Sequence, residues 1–192
     1  MNQRREGLFW VIEEETNYES RFAEREDFAK RMKELEFTKV KTVETNKFST
    51  PFLDIWLNPE QTHQVCFVHD PVVDTNYICI NPQSNLEQES ISKLSDWFYC
   101  DWNGELYEAA DEALEENDED TAPRAIFNLA VNCDSYNSKV MVMFERYLNS
   151  SSEIIRLATI RAVGFQLWSE CIPLLEKVIE EDYSKAVTAV CI

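Results

Sequence analysis

The spacing of apolar positions changes part-way along the chain, and the change divides it in two. Leu8-Phe9-Trp10-Val11-Ile12 is a short apolar run of strand type, while Phe22, Phe28, Ala29, Met32 and Leu35 recur at helical spacing between Glu19 and Glu36. Strands follow. Lys39–Glu44 alternates around Val40 and Val43, Phe52–Leu57 is aromatic and β-branched, and Gln64–Val68 and Tyr77–Ile80 repeat the pattern, with Pro51, Pro59, Pro71 and Pro82 marking the gaps. The predicted order is β-α-β-β-β-β. Gaps between the later strands are too short for helical crossovers, so an antiparallel sheet with one helix on a face is expected over residues 1–83.

From residue 84 to residue 192 the period is helical. Ser84 or Asn85 can cap a helix that runs to about Trp102 with Ile91, Leu94, Trp97 and Phe98 as its apolar stripe. Its end is an aromatic cluster, Trp97-Phe98-Tyr99-Cys100-Asp101-Trp102, closed off by Gly104. Trp97 and Phe98 suit inter-domain packing, and Tyr99 and Trp102 are candidates for a binding hot spot. Glu105–Asp120 then reads ELYEAADEALEENDED. At 100° per residue Leu106, Ala109, Ala110, Ala113 and Leu114 share one side of a helix, and Glu105, Glu108, Glu112, Glu115 and Glu119 gather opposite.

The last seventy residues repeat. Arg124, Ala130, Val131 and Asn132 stand 32 residues before Arg156, Ala162, Val163 and Gly164, and Phe144–Leu148 stands 31 before Leu175–Ile179. A period of that length is two short helices. Arg156, Ala158, Arg161, Ala162 and Gly164 on a first helix, with Ile172, Pro173, Leu174, Leu175, Val178 and Ile179 on a second, resemble HEAT repeats over about residues 122–192. The resemblance implies a solenoid in which each unit buries its face against its neighbours, and such scaffolds usually bind partners. A third unit begins at Ser184, where Ala186, Val187 and Val190 are expected to close the stack. The overall expectation is an α+β chain: a small antiparallel sheet with one helix, then an all-α HEAT-like solenoid.

Charge narrows the function. The chain has 18 Lys and Arg against 36 Asp and Glu, a formal net charge of −18. Residues 1–100 hold 18 acids and 11 bases, net −7, and residues 101–192 hold 18 and 7, net −11. The repeat half is therefore the acidic half. Such a surface repels nucleic acid and anionic membranes and favours a cationic partner; HEAT-like enzymes that embrace DNA need the opposite sign. Within Glu105–Asp120, like charges three and four residues apart, with no lysine between them, oppose one another by a few tenths of a kcal/mol each. A cationic partner relieves that repulsion, which makes Glu105, Glu108, Asp111, Glu112, Glu115, Glu116, Asp118, Glu119 and Asp120, with Tyr99 and Trp102, the candidate partner-binding residues.

Catalytic templates are missing from the sequence. Three glycines (Gly7, Gly104, Gly164) make no phosphate loop, and there is no G-x-S-x-G, H-E-x-x-H or C-x-x-C. His63-x-x-Cys66-x-x-His69 has a metal-like spacing, but on a strand the two histidines share a face and Cys66 points to the other. Asp70 and Asp74 beside His69 fit turns bounded by Pro71. Six scattered cysteines without an export signal are expected as reduced thiols, and no apolar run spans a bilayer, so a cytosolic protein is expected. Taken together, the chain is expected to be a non-enzymatic binder with no cofactor and no metal. In character it resembles the immunity proteins of polymorphic toxin systems, which implies a basic toxin or nuclease as partner. The alternatives are a nucleic-acid mimic directed at a restriction or CRISPR nuclease, and a HEAT-repeat adaptor.

Overall fold

A computed structural model describes residues 8–11, 20–45, 51–82, 103–133 and 135–190. They form two compact units, a sheet unit and a helical unit that starts at Asn103. The boundary expected near residue 83, the helix expected from Ser84, and Tyr99 and Trp102 lie outside the described residues.

In the sheet unit, strands β1 (Leu8–Val11), β2 (Thr38–Val43), β3 (Phe52–Leu57), β4 (His63–Asp70) and β5 (Thr75–Pro82) lie in the order β1-β5-β4-β3-β2, every neighbouring pair antiparallel. Counting directions across the sheet makes β1 and β2 parallel to each other at opposite edges. Helix α1 (Ser20–Glu34) joins them. Its 15 residues span about 22 Å at 1.5 Å each, which matches the roughly 19 Å across five strands. α1 covers β3, β4 and β5 on one face of the sheet.

That face is the core. Phe28 and Met32 of α1 pack on Phe52, Trp56, Val65, Phe67, Ile78 and Ile80, all buried. Phe28 meets Trp56 edge-on at 6.2 Å and Phe67 at 5.5 Å. One carboxylate interrupts this apolar row. Asp54 is 2% exposed and accepts hydrogen bonds from Arg25 Nε (2.8 Å) and Thr42 Oγ1 (2.6 Å), with Lys39 Nζ at 3.5 Å. Val40 bulges out between Lys39 and Lys41, which leaves Lys39 and Thr42 both on the Asp54 side of β2. The opposite face of the sheet buries Cys66, Val68, Tyr77 and Cys79. Cys66 and Cys79, thirteen residues apart in sequence, stand directly across from each other on β4 and β5.

The helical unit comprises α2 (Asn103–Glu115), α3 (Ala122–Val131), α4 (Ser138–Leu148), α5 (Glu153–Gln166), a 3-10 turn (Ser169–Cys171), α6 (Ile172–Glu181) and α7 (Lys185–Val190). Here α3 packs on α5 and α5 on α7, while α2 packs on α4. The 32-residue offset carries α3 onto α5, with Arg124 and Arg156 both in a first turn. Side-chain caps begin α4 and α5: Asn137 Oδ1 accepts from the Lys139 and Val140 amides, and Ser152 Oγ from Ile155. Gln166 Nε2 closes the end of α3 by donating to the Ala130 and Cys133 carbonyls. Of the residues expected to close the last unit, Val187 is fully buried but Ala186 is exposed. The α7 stripe is thus narrower than its sequence suggests, and the Val190 side chain lies outside the described residues.

Leu148, Ile160, Val178 and Val187 form the seam that joins α4, α5, α6 and α7, with Leu174 and Leu175 packed on its edge. Truncating Ile160 to Ala leaves a cavity in that seam and is expected to lower stability by about 2–5 kcal/mol. Leu175→Ala, at a half-buried site, should fall at the low end of that range; chemical denaturation of both variants checks the order.

Two buried carboxylates tie stability to pH. Burial pushes the Asp54 carboxyl up, but hydrogen bonds from Arg25 and Thr42 and the charges of Arg25 and Lys39 outweigh it and hold it below the ordinary aspartate value. In Asp182 burial is likewise outweighed, by the Arg156 hydrogen bonds, the Ser184 amide and the Arg156 charge. Groups lowered on folding stabilise fully above the unfolded value and lose that contribution as pH falls through the folded one. Melting temperatures should therefore drop steeply below about pH 4. Replacing Asp54 by Asn should flatten part of that drop.

Candidate functional site

The acidic stretch is a helix for only part of its length. α2 ends at Glu115, and Asn117, in the left-handed region at φ 51°, turns the chain toward α3. Ala110 and Ala113 are buried and Leu106 and Leu114 half-buried, as the 100° projection implies, but Ala109 is exposed. Glu119 belongs to the turn before α3 instead of the helical row. The rail of carboxylates is therefore Glu105, Glu108, Glu112 and Glu115 on α2, continued by Glu116, Glu119 and Asp120 in the turn, and all seven are exposed.

Two of the nine candidate carboxylates have work inside the fold. Asp111 pairs with Arg146 of α4, which supplies the cation that the α2 sequence itself lacks. Asp118 organises the start of α3: its Oδ1 accepts from the Asp120 and Thr121 amides (2.9 and 3.4 Å) and its Oδ2 from the Thr121 hydroxyl (2.8 Å). Those bonds, the Asp120 amide foremost, lower its pKa. Both residues serve the fold, and of the seven acids that remain on the rail Glu115 also feels the charge of Arg146.

Helix polarity makes the rail costly. The C-terminal end of a helix carries partial negative charge, and a carboxylate there is unfavourable by about 0.3–1 kcal/mol. α2 ends in Glu112 and Glu115 and α6 in Glu180 and Glu181, and neither helix has a basic residue in its last turn. These two ends belong to one side of the unit. Ser150, in the turn between α4 and α5, donates from Oγ to Asn117 Oδ1 at 3.0 Å, and the neighbouring Ser150 and Ser151 carbonyls accept from Arg156 Nη1 at 2.9 and 3.1 Å. Arg156 in turn grips Asp182, just past α6, through Nε (2.7 Å) and Nη2 (3.2 Å). The turns after α2, α4 and α6 are thereby linked into one acidic end.

No protein-family model, no curated protein and no solved structure matches this chain.

The other candidate groups are dispersed. His63 and His69 share the α1 face of β4 and Cys66 points to the other, so the trio converges on nothing. The histidines stand six residues apart on a strand, about 20 Å at 3.3 Å per residue, so they and Asp70 do not form the compact titratable set that their spacing in the sequence suggests. His63 Nδ1 lies within hydrogen-bond distance of both Thr62 Oγ1 (2.7 Å) and Asn58 Nδ2 (3.1 Å), and burial holds its pKa below the ordinary histidine value against the opposing charge of Glu60. It is a neutral structural residue. Asp70 Oδ1 caps its own turn by accepting from the Val72 amide at 3.0 Å. Among the described residues no group of three His, Cys, Asp or Glu is placed to hold a metal, and no helix is long and apolar enough to cross a membrane. The Cys171 thiol, beside Met141 Sδ at 3.4 Å, is pushed up to about 11, mainly by burial.

Proposed function

We propose that the chain is a cytosolic, non-enzymatic binding protein that captures a basic protein partner on the acidic end of its helical unit. In its most specific form it is an immunity protein that blocks a bacterial nuclease-type toxin. One observation carries the reading: Glu112, Glu115, Glu180 and Glu181 crowd two helix C-termini where their charge opposes the helix dipole. An arrangement unfavourable to the free protein is relieved when a cationic surface meets it. The stacking of α3 on α5 and α5 on α7 supports a HEAT-like scaffold beneath. An adaptor role, the second reading, draws support from the opposite end of the helices, where Tyr136, Leu167 and Ile172 are exposed beside the Tyr136–Trp168 ring contact at 5.5 Å.

The double reversal Glu112→Lys with Glu180→Lys tests the proposal. Opposing signs are expected: stability of the free protein rises by about 0.5–2 kcal/mol as two dipole clashes become favourable contacts, while capture of the basic partner weakens. Tighter or unchanged capture would argue for the adaptor.

A further inference from the structure

We propose that the cleft between the C-terminal ends of α4 and α6 is an anchor pocket for an arginine side chain on the partner. This deepens the reading above and rests on it. The cleft holds about 190 Å³, below the roughly 300–1,000 Å³ of small-molecule sites, so it has room for a side chain and too little for a cofactor. Leu148 and Val178, both buried, and half-buried Leu174 form its floor, where the methylene stem of a long side chain can lie.

Its rim suits a planar cation. Tyr183 is 82% exposed, the most exposed of the large hydrophobic side chains among the described residues. Its ring already stacks on one guanidinium, with Arg156 Cζ 5.0 Å from the ring centre, and the bulk of its surface is open to solvent. Arg156 does not repel a second cation strongly, because Asp182 neutralises it through two hydrogen bonds. Glu145 and Glu181 stand exposed at the rim and supply the carboxylates for a fork of N–H donors. Lys177, exposed on the same rim, opposes the ligand. Ser150 belongs to the cleft and hydrogen-bonds Asn117 at the end of the acidic rail, so pocket and rail are continuous. The rail attracts and the cleft anchors. Arginine is favoured over lysine because its flat guanidinium stacks on an aromatic ring and engages carboxylates in pairs.

Fluorescein-labelled octa-arginine and octa-lysine peptides, titrated by anisotropy at about 50 mM salt, separate the two roles. Octa-arginine should bind about fivefold or more tighter than octa-lysine. Tyr183→Ala should abolish that difference and Tyr183→Phe preserve it, with little risk to the fold at so exposed a site. Lys177→Ala should tighten octa-arginine by about two- to threefold. Reversing Glu112, Glu115 and Glu119 to Lys should weaken both peptides while leaving their ratio intact. Equal binding of the two peptides, indifferent to Tyr183→Ala but weakened by the rail reversal, would overturn the pocket and leave the basic-partner reading standing. Failure of both peptides to bind the wild type would overturn both.

Discussion

Arg156→Ala is expected to lower the stability of the helical unit by about 3–5 kcal/mol, among the largest effects of any single change in this chain. Both partners of the Arg156–Asp182 pair are nearly inaccessible, with side chains 3% and 7% exposed. Removing the guanidinium strands the Asp182 carboxylate and leaves the Ser150 and Ser151 carbonyls without their donor. A buried charge without its partner is far more damaging than the intact pair is stabilising. The double replacement Arg156→Met with Asp182→Leu should therefore recover much of the loss, since no unpaired charge remains. Urea unfolding of the three proteins checks this: a double variant no more stable than Arg156→Ala would show that the cross-link between turns, and not charge burial, carries the energy.

Reversing Glu112, Glu115 and Glu119 to Lys is expected to slow association with the basic partner by about tenfold or more at low salt, with a smaller effect on dissociation. The three changes move the net charge from −18 to −12 and place the alteration on the acidic end itself. All three side chains are exposed, and the polar interactions that order the α2–α3 turn belong to Asp111, Asp118 and Asn117 instead. Circular dichroism should be unchanged. An association rate that survives the reversal would move the interface off the rail.

The sheet unit was largely legible in the sequence. β3 alternates cleanly, β4 and β5 are apolar runs bounded by prolines, and the stripe Phe28, Ala29, Met32 and Leu35 marks the buried side of α1, whereas the bulge that turns Val40 out of β2 was not legible. Elements could be read where one face is buried and the period is therefore enforced. The end of α2 was not legible, because an unbroken run of Glu and Asp carries no stop signal and Asn117 can sit in a helix or terminate it. Ala109 was misplaced for a related reason: alanine is small enough to tolerate either side, and Leu106, Ala110 and Ala113 fix the true stripe. Asp182 read as one more acid in a turn, since its partner Arg156 lies 26 residues away and no local spacing links them. Tyr183 and the cleft beside it are products of tertiary packing. The opposition of Cys66 and Cys79 likewise depends on strand register, which the sequence does not spell out.

The most direct test of the proposed electrostatic capture is the association rate of the wild-type protein with the proposed basic partner, isolated from its own cells, measured by surface plasmon resonance across a salt series. Exposed charges separated by more than the screening length cease to attract as salt shortens that length from about 14 Å at 50 mM to about 4 Å at 500 mM. A fall of about tenfold or more in the association rate over that range, with dissociation nearly constant, is expected if the carboxylates at the ends of α2 and α6 draw the partner in. An association rate indifferent to salt would contradict it.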